Sequence, residues 1–478
     1  MDLQLTIAGR RDLIGQIYRQ LRASIVDGRL PAGERLPSTR DLALQLGVSR
    51  KTTLEAFERL MAEGYLVTRT GDGTFVAEGL APRPVPSRTR AATTPRPAAV
   101  WKRMPPTLAM PRPGTRPTHD YLGGVTDKTL FRFDVWRKCV AHALRVQARG
   151  RGMYRDPGGE QELRLAVARY IGFSRGVACN WQDVIVTQGA QQAVDLVARV
   201  MVNPGDTVAV EEPGYPPVRS SLLAVGARVI PVPVDDEGLR VSQLPDEARL
   251  VYVTPSHQFP LGMPMSLDRR IALLEWASAR GALIVEDDYD GEFRFEGRPL
   301  ESLKSLDRTG VVAYVGTFSK TIFPELRMGY VVPPETLAAD FLKAKQISDW
   351  HGCSLTQAAL ARFMLDGDFG RHVRRVQKVY AQRREALLGH LTGELSPWLT
   401  SVVPAAGIHL ASQLRRGLTE ETVIALARKS SIGLYGISHF YAGRRPRQGL
   451  LFGYGDISVD AIHASMTTLA SLLAKIAP

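Results

Sequence analysis

Leu13, Ile17, Leu21 and Ile25 recur every four residues, a spacing that predicts a helix with one apolar face. Gly28 and Pro31 end it. Ser38 suits the N-cap of a short second helix, with Asp41 in its first turn, and Gly47 stops that helix. Ser49 caps a third, whose apolar positions Leu54, Phe57, Leu60 and Met61 fit a 3.6-residue period before Gly64 closes it. Residues 65–68 and 74–76 flank Gly71-Asp72-Gly73, a hairpin signal. From residue 121 on the pattern changes. Apolar runs of strand length, at 183–187, 207–210, 250–254, 282–285 and 311–315, alternate with helical stretches. That alternation predicts a mostly parallel, doubly wound α/β sheet. Between the two patterns, residues 82–117 hold ten prolines and seven arginines without apolar periodicity, and predict a linker, extended and semi-rigid where prolines cluster. The expected organisation is therefore a small α+β unit over 11–78, a basic linker over 79–118 and a large α/β domain over 119–478.

Helix, short helix, glycine turn, helix and hairpin describe a winged helix-turn-helix, whose second paired helix enters the DNA major groove with its N-terminal residues nearest the bases. Those residues are Ser49, Arg50, Lys51, Thr52 and Thr53. Arg and Lys pair with guanine edges, and Ser and Thr reach phosphates or bases. Two cations in a first helical turn oppose the helix dipole, and an anionic partner explains them. The net charge of +13 supports this by its location. Residues 78–118 carry eight basic side chains against one acidic, a segment with phosphate affinity beside the DNA-binding motif.

The stretch Gly33-Glu34-Arg35-Leu36-Pro37-Ser38-Thr39-Arg40, then Leu46-Gly47-Val48-Ser49-Arg50, then Glu63-Gly64-Tyr65-Leu66 and the glycine wing, resembles the GntR family of regulators over about residues 11–77. The resemblance implies that Arg40 and Arg50 contact DNA, that Arg35 helps at the backbone and that Gly73 lies in the wing tip near the minor groove.

Ligands of doubly wound sheets bind at the carboxyl ends of strands, and chemistry-bearing residues follow the strands here. Glu286-Asp287-Asp288-Tyr289 follows one; Gly316-Thr317-Phe318-Ser319-Lys320, then Arg327, follows another; Gly189-Ala190-Gln191 opens a helix after a third. A lysine, a carboxylate, a phenol, a helix N-terminus and an arginine suit a phosphorylated aldehyde with an aromatic nitrogen. The lysine forms an imine, the carboxylate keeps the ring nitrogen protonated, and the helix N-terminus, hydroxyls and arginine hold the phosphate.

This order, over about residues 120–475, resembles the pyridoxal phosphate-dependent aminotransferases of class I, fold type I. With the winged helix in front, the whole chain resembles the MocR-type regulators of the GntR family. The resemblance implies pyridoxal 5'-phosphate as cofactor, Lys320 as its Schiff-base lysine, Asp287 at the pyridine nitrogen and Tyr289 at the phenolic oxygen. It implies Ala190 and Gln191 backbone groups, Thr317 or Ser319, and Arg327 at the phosphate, and Tyr215 stacked on the ring. It implies that Tyr154 reaches the phosphate of a partner subunit, in a head-to-tail homodimer whose DNA-binding domains lie over the opposite subunits. Two departures stand out. In the loop 256–262, Phe259 occupies the place of an asparagine that touches the phenolic oxygen, leaving His257 or Gln258 beside it to substitute. The strand 449–454 lacks the family's carboxylate-binding arginine, for which Arg219, Arg444 and Arg445 are the candidate effector-binding replacements.

The leading expectation is a DNA-binding transcriptional regulator that senses an amino compound, or pyridoxal phosphate itself, through the large domain. A working aminotransferase with an attached DNA-binding domain is the alternative, and a cofactor-free dimerisation domain a third reading. Composition excludes broader classes. Apolar content of 44% over 478 residues rules out wholesale disorder, and no apolar run approaches the length of a membrane span. No signal-peptide pattern opens the chain. Cys139, Cys179 and Cys353 are too scattered for a disulfide framework or metal cluster, so a cytoplasmic setting without a metal site is expected.

Overall fold

The computed structural model describes residues 5–9, 11–78, 96–105, 116–296, 301–404, 406–415, 417–443 and 446–476. Most of the expected linker, 79–95 and 106–115, and the candidates Arg444 and Arg445 lie outside the described residues. The chain divides into two compact units, residues 1–96 and 97–478.

In the first unit, α1 (Leu13–Val26), α2 (Thr39–Leu46) and α3 (Arg50–Ala62) precede the antiparallel hairpin of β1 (Leu66–Arg69) and β2 (Gly73–Val76). The predicted face of α1 is real: Ile17, Leu21 and Ile25 are buried against Leu42, Ala56, Phe57 and Leu60. Both expected caps form, Ser38 Oγ accepting from the Asp41 amide and Ser49 Oγ from the Thr52 amide. Each such cap is worth about 1 kcal/mol. One expectation fails on α3: Leu54 is exposed and Ala56 takes the buried place, because the core-facing positions run Thr53, Ala56, Phe57, Leu60. Residues 33–36 also add a third rung to the wing. The Gly33 and Leu36 amides donate to Val76 and Thr74 carbonyls, and Arg35 bridges Phe75.

In the second unit an eight-stranded sheet has the order β3 (Ile185–Thr187), β10 (Gly329–Val332), β9 (Val312–Thr317), β8 (Leu283–Asp288), β7 (Leu250–Val253), β4 (Thr207–Glu212), β5 (Arg228–Asp235), β6 (Gly238–Leu239). The pairs β9–β8, β8–β7, β7–β4 and β4–β5 are parallel, as expected. The strand β10, which apolar runs alone did not reveal, enters antiparallel between β9 and β3. Alternation along the buried strands feeds two cores. Val208, Val210, Tyr252, Leu283 and Val285 pack with Val194 and Val197 of the helix α4 (Ala190–Met201), whereas Ala209, Val251, Val253 and Ile284 pack with Leu273 and Ala277 of α5 (Leu267–Arg280). Helices on both faces make the sheet doubly wound. A second, antiparallel sheet, absent from the sequence-based expectation, has the order β11 (Leu399–Ser401), β12 (His409–Leu414), β14 (Gly449–Gly453), β13 (Tyr435–Gly436). Two of its strands, of three and two residues, are too short to show a period of two, and the other two are buried along most or all of their length.

Within the stretch expected to be an extended linker, Ala99–Arg103 forms one helical turn, where the run Ala98-Ala99-Val100-Trp101-Lys102 is free of proline. Among the described residues no helix is long and apolar enough to cross a membrane.

Candidate functional site

In the first unit the residues expected at DNA stand at the starts of α2 and α3 and in the wing. Arg40, at the start of α2, and Arg50 and Lys51, in the first turn of α3, are exposed, while Thr52 is half-buried at the Ser49 cap. Thr53, grouped with them by sequence, is instead fully buried. Its hydroxyl donates to the Thr39 carbonyl at 2.7 Å, tying α2 to α3 and fixing the relative placement of Arg40 and Arg50. Arg35 lies against the wing, its guanidinium within 3.2 Å of where a Cβ on Gly73 would stand. Turn and wing tip thus meet, as the sequence pairs them only implicitly.

In the large unit the carboxyl ends of β3, β8 and β9 gather the candidate chemistry. Alternation along β8 sends Asp287 and Asp288 to opposite faces of the sheet. Asp288 is the structural one: Arg175 grips both its oxygens at 2.5 and 2.6 Å, and the Tyr314 hydroxyl donates to it at 2.6 Å. Asp287 is buried, accepts from the Tyr252 hydroxyl at 2.6 Å through Oδ2, and has no partner on Oδ1 among the described residues. Burial, with Asp288 and Asp290 adding to it, pushes the Asp287 carboxyl up to about 7 against the pull of Tyr252 and Lys320. Tyr252 was not foreseen; its place in a buried strand run hid a polar role.

Lys320 follows β9, and its Nζ donates to the Gly124 carbonyl at 3.0 Å. Desolvation draws its ammonium below the ordinary lysine value and Arg327 adds to this, while Asp290 and Asp287 oppose it. Thr317 and Ser319 are both buried, and their hydroxyls bond each other at 3.0 Å. Arg327, itself in a left-handed conformation at φ 51°, donates to the Gln188 carbonyl at 2.8 Å. Gly189, with φ 78°, caps α4, and a Cβ there would stand 2.9 Å from the Arg327 guanidinium. Only glycine lets the arginine close over the start of this helix, where the first amides, Ala190 and Gln191 among them, have no intrahelical partners.

Tyr215 is partly exposed and meets Phe259 edge-on at 5.4 Å; burial and Asp287 raise its hydroxyl above the ordinary value. Phe259 itself is boxed by Tyr289, His409 and Phe440. Gln258 is committed elsewhere, its amide donating to the Pro213 and Phe259 carbonyls. The Tyr289 hydroxyl reaches the His257 carbonyl at 3.0 Å and lies 2.9 Å from His257 Nδ1. Arg219 donates to the Phe440 carbonyl at 3.1 Å and neighbours Glu212, so its charge is already partnered. Tyr154 is not in this group. It is 75% exposed and stacks on Trp350 at 4.8 Å. His257, Asp290 and His409 bring ligand-type atoms within 4.8 Å of one another, but His257 Nδ1 and Asp290 Oδ2 touch directly at 2.9 Å, as hydrogen-bonded partners do.

The pattern of GntR-family bacterial regulatory proteins matches residues 13–76, and that of aminotransferase classes I and II matches residues 125–448. The chain is 37% identical over 461 residues, 95% of its length and 92% of the relative's, to the probable rhizopine catabolism regulatory protein MocR of Rhizobium meliloti. The chain belongs to the MocR-type regulators of the GntR family. The pyridoxine biosynthesis transcriptional regulator PdxR of Corynebacterium glutamicum is 32% identical over 94% of this chain and 93% of its own. Among solved structures, a kynurenine aminotransferase of Pyrococcus horikoshii superposes with a TM-score of 0.70 at 29% identity, covering 76% of this chain and 92% of that one. As a MocR-type protein the chain is a transcriptional regulator: a GntR winged helix-turn-helix, the DNA-binding element, is joined to an aminotransferase-fold domain.

Proposed function

We propose that this regulator holds pyridoxal 5'-phosphate at Lys320 and senses a primary amine there, converting its arrival into a change of operator affinity. The observation that carries this reading is the lone Oδ1 of Asp287. A buried carboxylate oxygen without a protein donor, next to a lysine, is a place for a protonated ring nitrogen. The closed approach of Arg327 to Gly189 at the start of α4 supports it, because an arginine and free helix amides suit a phosphate. When bound, pyridoxal phosphate supplies an electrophilic aldehyde carbon that captures primary amines.

The roles of this chain's residues follow from their settings. Lys320, its ammonium destabilised by desolvation, sheds its proton more readily than a surface lysine and so offers a neutral amine for attachment. Asp287 gains the cationic partner that its burial demands. Thr317, Ser319 and Arg327 join the α4 amides at the phosphate, and Tyr215 covers the ring. Tyr154, exposed and stacked on Trp350, would serve the site of a second subunit in a homodimer. In the first unit Arg40, Arg50 and Lys51 read or clamp operator DNA, with Arg35 and Gly73 at the backbone and wing.

The test is a spectral titration of the reconstituted protein with a panel of amines and amino acids, run beside operator binding. A compound that changes the cofactor's visible band and the operator affinity together supports the sensor. Sustained oxo-acid production without any effect on DNA binding contradicts it.

A further inference from the structure

In the loop that would face the phenol oxygen of the proposed cofactor, Phe259 offers no donor, and Gln258 has spent its amide on backbone carbonyls. Behind Tyr289 lies a polar cluster that this function does not otherwise use. His257 and Asp290 are each 1% exposed, with Nδ1 and Oδ2 at 2.9 Å. The same Nδ1 is 2.9 Å from the Tyr289 oxygen. The cluster is tightly housed. Gly407, at φ 99°, stands where a Cβ would come within 1.9 Å of the His257 ring, and the His409 ring lies 4.6 Å away with its Nε2 at the Pro260 carbonyl, 3.1 Å.

The ring's partners select its tautomer. His257 Nε2 has no partner among the described residues, while Nδ1 faces a carboxylate. A buried N–H without an acceptor is more costly than a bare ring nitrogen beside apolar neighbours. The hydrogen therefore belongs on Nδ1. With it there, His257 cannot accept from Tyr289; it can only donate. The tyrosine hydrogen has the His257 carbonyl at 3.0 Å as acceptor, with the Asp290 carboxylate also in hydrogen-bond reach, and the hydroxyl can turn between acceptors.

Resting on the pyridoxal phosphate reading, we infer that Asp290 and His257 form a positioning relay for Tyr289. Asp290 Oδ2 and the Tyr289 oxygen, each 2.9 Å from Nδ1, share its single hydrogen in a three-centre bond; ring and carboxylate together fix the Tyr289 oxygen, and its hydroxyl is thereby aimed at the cofactor's phenol oxygen. The relay does the work that an asparagine amide at position 259 would do directly. No proton changes owner: each hydrogen stays on its atom and only the hydroxyl rotates. The charged and titratable groups facing Tyr289 and His257 are Asp290, Asp287, Glu211, His409, Lys320 and Tyr454. Burial raises the Tyr289 hydroxyl well above the ordinary tyrosine value, so it remains a donor throughout the accessible pH range.

A hydrogen bond to the phenol oxygen withdraws electron density and weakens its hold on the proton of the neighbouring nitrogen. Losing that donor moves the cofactor's visible titration to higher pH, by about 1 unit for a charge-assisted bond. The titration should rise most in Tyr289→Phe and rise less in His257→Phe. It should stay near wild type in His257→Asn, whose amide N–H replaces Nδ1–H. Adding His257→Phe to Tyr289→Phe should produce no further shift. A folded His257→Phe with unchanged titration, or one whose shift persists in full in the Tyr289→Phe background, overturns the relay. A second measurement needs no variant: ring 15N shifts of His257 in the wild-type protein should show Nδ1 protonated and Nε2 bare, and the reverse overturns the relay while leaving the cofactor reading intact. A reconstituted wild-type protein with no visible band overturns both.

Discussion

In the winged-helix unit the groups assigned to function stand in water, and neutral side chains hold them from beneath. Arg40, Arg50 and Lys51 are exposed, while the Ser49 cap and the buried Thr53 hydroxyl set the helices that carry them. In the aminotransferase-fold unit the arrangement is inverted. Asp287, Asp290 and His257 are buried, and among the described residues a few buried side-chain polar atoms lack a partner, Asp287 Oδ1 and His257 Nε2 among them. The difference teaches where each unit stores its readiness to bind. A surface cation waits for DNA at little cost to the fold. A buried carboxylate without its partner is itself a strain on the fold, relieved when a cationic ring arrives.

The largest effect that follows falls on Asp287. A carboxyl held up near 7 rather than at 3.8 costs the cofactor-free fold about 4 kcal/mol once it must ionise. The folded value lies above the unfolded one, so this cost is absent below about pH 4 and grows as pH rises to about 7. Thermal unfolding of cofactor-free protein should therefore show Asp287→Asn gaining on wild type between pH 5 and pH 8. The same variant should lose pyridoxal phosphate affinity by several kcal/mol, on the order of 3–5. Equal melting at both pH values, with cofactor retained, would erase the contrast between the units.

Next in size is Arg50. Arg50→Ala should weaken specific operator binding by roughly 1–3 kcal/mol in a mobility-shift titration, while the cofactor spectrum stays unchanged. Thr53→Val sharpens the comparison from the other side. It removes a buried hydroxyl that touches no DNA, so it should cost the winged-helix unit about 1–2 kcal/mol in thermal unfolding and weaken operator binding only through lost alignment.

How legible was this in the sequence? The helix-turn-helix was nearly all visible, because caps, glycine stops and a four-residue apolar period are local signals. Leu54 misled, since its spacing fits the helix period but Ala56 faces the core. In the large unit the lysine, the Asp287–Tyr289 run and Arg327 stood out at strand ends. What stayed hidden depends on contacts between distant segments. Tyr252 reaches Asp287 across neighbouring strands, and Gly407 makes room for His257 from 150 positions away. The antiparallel β10 also escaped, because a fully buried strand loses the alternation that would announce it, and so did the second sheet, whose strands are either very short or buried along most of their length.

The smallest effect belongs to the basic segment. Replacing Arg83, Arg88, Arg90 and Arg96 with glutamine should flatten the salt dependence of DNA binding and leave sequence preference alone. Competition titrations at several salt concentrations measure both.

The central claim is that an amine captured at Lys320 alters operator affinity. Its most direct test is operator binding by wild type and Lys320→Ala, each with and without an amine that shifts the wild-type spectrum. Wild type should change affinity by the 5–150-fold typical of allosteric coupling, about 1–3 kcal/mol. Lys320→Ala should bind operator as the unliganded wild type does and ignore the amine. An equal response in both proteins, or none in either despite a full spectral change, would contradict the account.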